Sequence, residues 1–182
     1  MRRARRAARR RCWAVLAPGA FGLACALAPA ALGGPPRLIW NVTASAPLGL
    51  YRVTTDRAPV VGEWAAVTPP PHLAAWLAAR GYAPRGVLLI KQVAAMAPQQ
   101  VCRVGAQIRI DGAPVARALE RDHAGRRLPQ WRGCKRLAVD EVLLLNTDPQ
   151  SLDSRYFGPL PASAVVGQAQ AIWTQQGARD GR

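Results

Sequence analysis

Residues 41–53 read NVTASAPLGLYRV. Pro47-Leu48-Gly49 is a turn signal between two loosely alternating pieces, so the stretch reads as one strand ending, a reversal, and a second strand beginning. Another turn signal at Val61-Gly62 continues the pattern, and residues 38–67 as a whole read as short strands. Ser45 falls inside the reversal. A serine there is ordinarily a turn former. A nucleophile needs in addition a base, a donor for an oxyanion, and a reason to be where it is.

Downstream the β pattern persists. Pro69-Pro70-Pro71 breaks the chain, and HLAAWLAARGY places Leu73, Trp76, Leu77 and Arg80 at helical spacing before Gly81, a helix stop. GVLLIKQVAAM is an apolar run of strand length, and VCRVGAQIRIDGAPV reads as a hairpin turning at Asp111-Gly112. Residues 118–136 are polar, rich in Arg and Gly, and read as a mobile surface insertion. VDEVLLLN is a further buried strand, TDPQSLDSRYFGPLPAS a loop, and VVGQAQAIW a last strand. The expected fold is mainly β with one short helix.

Charge separates the chain into parts. The 182 residues carry a net charge of +15, which suggests nucleic acid until its distribution is considered. Seven Arg lie within residues 1–11, and no acidic residue precedes Asp56. From Gly34 onward 18 Lys and Arg face ten Asp and Glu, a net of about +8, scattered as on a solvated surface rather than striped. Residues 12–36 contain no charge and are long enough to span a bilayer as a helix. The basic flank keeps the N-terminus cytoplasmic and places the body outside, away from nucleic acid. Pro18, Gly19 and Pro29 weaken a long helix, and Ala28-Pro29-Ala30 resembles a cleavage site. Retained anchor and cleaved signal therefore both stand, the anchor being preferred. The expected organisation is a basic tail over 1–11, a transmembrane or signal segment over 12–36, an exported body over 37–175 and a tail over 176–182.

An oxidising compartment gives Cys102 and Cys134 a reason to pair. A disulfide is the expectation, two buried thiols the alternative. Their spacing fits no metal motif, and no metal or organic cofactor is implied.

Lys91 is the chemical oddity of the body. Of 25 basic side chains only Lys91 and Lys135 are Lys, and Lys91 interrupts the apolar LLIKQV. Burial lowers a lysine's pKa, whereas a guanidinium keeps its proton. A neutral amine in an apolar wall can take a proton from a serine. The alternative is an edge strand, from which the ammonium would reach water. Thr43 places a hydroxyl two residues before Ser45, where it could help the Ser45 amide hold an oxyanion. In SLDSRYFGPL, Asp153 and Arg155 can pair, and Ser151 can reach a lysine head and orient it.

Ser45-Ala46-Pro47, Lys91-Gln92-Val93 and the box running from Ser151 to Gly158 occur in the order found in type I signal peptidases, and the body resembles that family. The likeness is closer to its TraF-type conjugative transfer branch, through WNVTASAPLGLYRV, WLAARGYAPRGVLLIKQVAA and Cys102-Arg103-Val104. It runs from about Ile39 to Ile172. Gln92 in place of Arg, Ala46 in place of Met, and AAMAPQQ in place of a Gly-x-Pro-Gly-Asp turn depart from leader peptidases.

What the resemblance implies is a signal-peptidase-like β domain at the outer, periplasmic face of a bacterial inner membrane. Its catalytic pair would be Ser45 as nucleophile and Lys91 as general base. Thr43 would supply the oxyanion hydroxyl, Ser151 would orient the lysine, and Asp153 with Arg155 would brace the site. The implied substrate is a membrane-presented precursor, a pilin or leader peptide, cut after a small residue and in some relatives cyclised. The implied partners are the lipid bilayer and components of a conjugation or type IV secretion system. The alternative is a non-catalytic adaptor or assembly subunit of such a system.

Overall fold

The computed structural model describes residues 38–175, together with Pro18 and Gly22. The expected basic tail, the expected C-terminal tail and nearly all of the expected membrane or signal segment lie outside the described residues. Among the described residues no helix is long and apolar enough to cross a membrane. The chain divides into two units, Met1–Pro35 and Pro36–Arg182, and among the described residues every strand lies in the second.

The elements run β1 (Leu38–Asn41), β2 (Gly49–Thr54), β3 (Trp64–Val67), α1 (Pro71–Ala79), β4 (Leu89–Met96), β5 (Gln100–Val104), β6 (Gln107–Ile110) and β7 (Ala113–Arg117). There follow β8 (Gly133–Arg136), β9 (Glu141–Leu145), α2 (Ser154–Phe157), β10 (Leu160–Pro161) and β11 (Val165–Thr174). A seven-stranded sheet has the order β1-β2-β11-β3-β4-β9-β10, and a four-stranded sheet the order β7-β6-β5-β8. The fold is mainly β, as its alternation and turn signals led us to expect.

β4 is the strand that matters most for the site. It pairs antiparallel with β3 on one side, Ala65 opposite Lys91, and with β9 on the other, Gln92 opposite Leu145. The edge-strand reading of Lys91 therefore does not hold. Past Met96 the chain enters the second sheet, and the two sheets share a core. Ala95, Leu143 and Leu145 from the first pack with Val101, Ile108 and Ile110 from the second.

Three details depart from the sequence reading. The expected hairpin over 101–115 is a three-strand meander, with a turn at Gly105-Ala106 as well as at Asp111-Gly112. At the latter both residues have positive φ, 48° and 84°, as a tight primed turn demands. The SLDSRYF loop contains a second helix, the single turn α2, whose N-cap is Asp153. Its side chain accepts from the Arg155 amide at 3.1 Å. Finally, the 118–136 segment is not merely a surface insertion. Ala118 and Leu128 are buried against Tyr156, and Gly133–Arg136 is a strand of the second sheet.

In that sheet Cys102 of β5 stands opposite Cys134 of β8, and the two form a disulfide. With a sequence separation of 32, such a link restricts the unfolded chain by about 3–4 kcal/mol in the chain-entropy account.

Candidate active site

Ser45 lies in the seven-residue connection between β1 and β2, where Asn41 pairs with Gly49 across its base. Short backbone ladders cannot satisfy a loop of this size, and a buried side chain does so instead. The Asn41 amide donates to the carbonyls of Thr43, Ala46 and Pro47 at 3.0, 3.1 and 3.1 Å. Its oxygen accepts from the Thr43 amide at 3.2 Å and the Thr43 hydroxyl at 2.9 Å. From the other side the Tyr51 hydroxyl donates to the Pro47 carbonyl at 2.7 Å. Tyr51 is fully buried, and burial pushes its pKa up to about 12, so it stays a donor throughout the ordinary pH range. Ala46 drops into the core beneath the loop, which leaves Ser45 half-buried beside it.

Gly49 does more than mark the turn. A Cβ there would lie 2.0 Å from the Trp173 carbonyl oxygen. The glycine thus admits the backbone of β11.

Lys91 is 5 % exposed in the interior of the sheet. Behind it lies a void of about 20 Å³ lined largely by apolar side chains, Val67, Leu73 and Leu144 among them. Burial disfavours the ammonium and lowers the pKa from 10.5 to about 8, against the opposing pull of Asp153. The lysine Nζ donates to Ser151 Oγ at 2.8 Å.

Asp153 and Arg155 pair directly, Arg155 Nε donating to Asp153 Oδ1 at 2.8 Å and Nη2 to Oδ2 at 3.0 Å. Both are buried. Asp153 Oδ2 also accepts from the Asn146 amide at 3.0 Å, and Arg155 Nη2 donates to the Asn146 carbonyl. From the second sheet the buried Arg103 donates to the Arg155 carbonyl at 2.6 Å. A buried ion pair is tolerable only when its remaining hydrogen-bonding capacity is filled in this way.

Thr43, Ser45, Lys91 and Ser151 all line one cleft of about 580 Å³. Its walls are otherwise largely apolar, formed by β1 residues such as Ile39 and Trp40 and by the segment from Tyr82 to Ile90. Asp153 and Arg155 do not line this cleft; they stand behind it. Cys102 and Cys134 lie in the second sheet and do not line the cleft; Arg103, the neighbour of Cys102, reaches the Arg155 carbonyl. Asn41, Asn146 and Arg103 were given no role in the site from the sequence, Arg103 entering only as part of the Cys102-Arg103-Val104 motif. The one available signal was an amide closing each of two strand-like runs, at IWN and LLLN. Among the described residues no three His, Cys, Asp or Glu side chains gather as metal ligands would.

A serine and a buried lysine facing one apolar cleft, on a mainly β scaffold, is an arrangement suited to acyl transfer. The sequence profile of the signal peptidase family, peptidase S26, matches residues 10–174. The chain belongs to that family and is a serine-type peptidase.

Among its relatives is the probable conjugal transfer protein TraF of Sinorhizobium fredii, strain NBRC 101917 / NGR234. That protein is 40 % identical over 146 residues, covering 74 % of this chain and 76 % of its own length. The conjugal transfer protein TraF of Agrobacterium fabrum is 38 % identical over 146 residues, 74 % of this chain and 81 % of that one. A plasmid transfer protein TraF from Escherichia coli is 30 % identical over 146 residues, with the same two shares. Among solved structures, a signal peptidase I from Enterococcus faecalis V583 aligns with a TM-score of 0.35 at 16 % identity. The alignment covers 62 % of this chain and 97 % of that one.

Proposed function

We propose that this peptidase works through a Ser45/Lys91 dyad and cleaves a membrane-presented, exported precursor after a small residue. The observation that carries the reading is Lys91. It is a buried amine of lowered pKa in a central strand, held by Ser151 and facing the same cleft as Ser45. As general base, Lys91 takes the Ser45 hydroxyl proton while Oγ attacks the scissile carbonyl. The proton then passes to the departing amine, leaving an acyl-enzyme. Water, its proton accepted by Lys91, hydrolyses the ester; a peptide amine attacking instead would give a cyclic product. The Ser45 amide and the Thr43 hydroxyl hold the oxyanion. For this Thr43 turns its proton away from Asn41 Oδ1, its partner in the resting site.

Membrane presentation has support beside the cleft. Leu38, Trp40, Val42, Ile172 and Trp173 are all exposed, and the Trp40 and Trp173 rings stack with centroids 5.7 Å apart. Paired indoles among aliphatic side chains suit the headgroup level of a bilayer. The uncharged run over 12–36 lies just before Leu38 in sequence, with Arg37 between them. The names of the TraF relatives favour plasmid transfer as the setting; to this we add a pilin-like precursor as substrate, the periplasmic face of the inner membrane as location and secretion-system components as partners.

The test needs no natural substrate. Full-length protein is incubated with a serine-acylating penem, and intact mass is compared for wild type, Ser45→Ala and Lys91→Ala. One adduct on wild type, absent from both variants, is expected; an adduct persisting in either variant overturns the dyad.

A further inference from the structure

The ladder between β4 and β9 reaches Gln92 opposite Leu145. One residue further along β9, Asn146 meets β4 with its side chain rather than its backbone. Asn146 Nδ2 donates to the Ile90 carbonyl at 3.2 Å, and Oδ1 accepts from the Gln92 amide at 3.1 Å. Those are the two residues flanking Lys91. A carbonyl on one side and an N–H on the other fix which way round the amide lies.

Because the side chain takes over the strand contact, the Asn146 backbone is released to turn away. Its N–H goes to Asp153 Oδ2 and its carbonyl to Arg155. Asn146 is 4 % exposed; three of these bonds are buried, and the one from the Gln92 amide is part-buried. Four hydrogen bonds thus converge on one residue, two from each side of the site.

We infer that Asn146 is a positioning residue for the peptidase reaction, clasping the β4 backbone on both sides of Lys91 and tying it to the Asp153–Arg155 pair. The inference rests on Lys91 being the general base. Without Asn146 the Ser151 hydrogen bond still holds the end of the lysine side chain, but the strand that carries it loses its attachment to β9 at that point. A displacement near 1 Å at a reacting group is enough to cost about 100-fold in rate.

Full-length protein is reacted with the penem probe across pH, and rate and midpoint are read for Asn146→Ala and Asn146→Asp. Leu143→Ala, a cavity variant on the same strand outside the site, is the control for lost stability. Asn146→Ala is expected to acylate about 100-fold more slowly than Leu143→Ala under conditions where both are folded. Asn146→Asp keeps the acceptor for Gln92 and adds a carboxylate to the charged groups around Lys91, which are Asp153, Arg155 and Asp148. It is expected to move the midpoint upward, and it carries the test if the alanine variant does not fold.

Asn146 variants with the rate and midpoint of Leu143→Ala would overturn the inference while leaving the dyad intact. A Lys91→Ala protein that acylates like wild type would overturn the dyad itself, and the inference with it.

Discussion

Lys91 Nζ and Ser151 Oγ, sixty residues apart in sequence, are joined by a buried 2.8 Å hydrogen bond. Ser151 gives the amine a fixed direction that neither β4 nor its apolar surroundings could supply. Acylation should therefore rise with pH through a midpoint near 8, the pKa to which burial brings Lys91. Ser151→Ala removes a partner of the ammonium, so the midpoint should fall while the plateau rate drops roughly 10- to 100-fold. Penem acylation across pH 6 to 11, with those limits only about what the assay needs, measures both. An unchanged plateau would show that the hydrogen bond does not orient the base.

The same burial has a cost in stability. The folded pKa of about 8 lies below the ordinary 10.5, so between those values the unfolded chain binds more protons. Stability should climb with pH across that interval, and below it the penalty is complete, on the order of 3 kcal/mol. Lys91→Met should accordingly melt higher than wild type at neutral pH, the gap closing toward pH 10.5, while acylation is lost. Thermal melts at the two ends of the range decide it; a variant less stable at neutral pH would contradict the assigned cost.

Asn41 is the clamp of the loop that carries Ser45. Asn41→Asp keeps the shape but turns a donor toward three carbonyl oxygens into a carboxylate oxygen. We expect a loss of about 1–3 kcal/mol, together with a slower acylation that does not recover on cooling to where the fold is intact. Chemical denaturation and adduct formation, measured on the same sample, separate the two effects.

Asp153 and Arg155 should behave as one unit. Asp153→Ala strands a buried guanidinium and should cost about 3–5 kcal/mol. The double variant Asp153→Ala/Arg155→Met should cost less than the two single changes added together. A urea double-mutant cycle that proved additive would show that the pair does not act together.

How far the sequence could be read follows from where each signal lies. Strands and turns were legible because alternation and Asp-Gly are local. Lys91 and the 151–155 cluster stood out because each breaks its chemical surroundings. The Gly105-Ala106 turn went unread because small residues do not interrupt an alternating run. Ala118 and Leu128 looked like stray apolar residues in a polar segment, since what buries them is Tyr156, far along the chain. Asn41 and Asn146 were marked only by closing strand-like runs, for a similar reason: the partners of their side chains are mostly backbone atoms, which carry no sequence signature, and for Asn146 the Ile90 carbonyl lies 56 positions away.

The contact between Gly49 and Trp173 has a consequence for the order in which the enzyme is made. The serine belongs to the first strand connection of the fold, yet that connection is finished by the last strand. Thr174 pairs with Gly49, Trp173 with Leu50, and the Gln175 amide donates to the Leu48 carbonyl at 2.9 Å. A chain leaving the ribosome presents Ser45 roughly 130 residues before the segment that completes its loop exists, an interval of about 6 to 26 seconds at ordinary elongation rates. Through that interval the proposed nucleophile exists without the strand that closes its loop, so on the dyad reading activity waits until synthesis is all but complete.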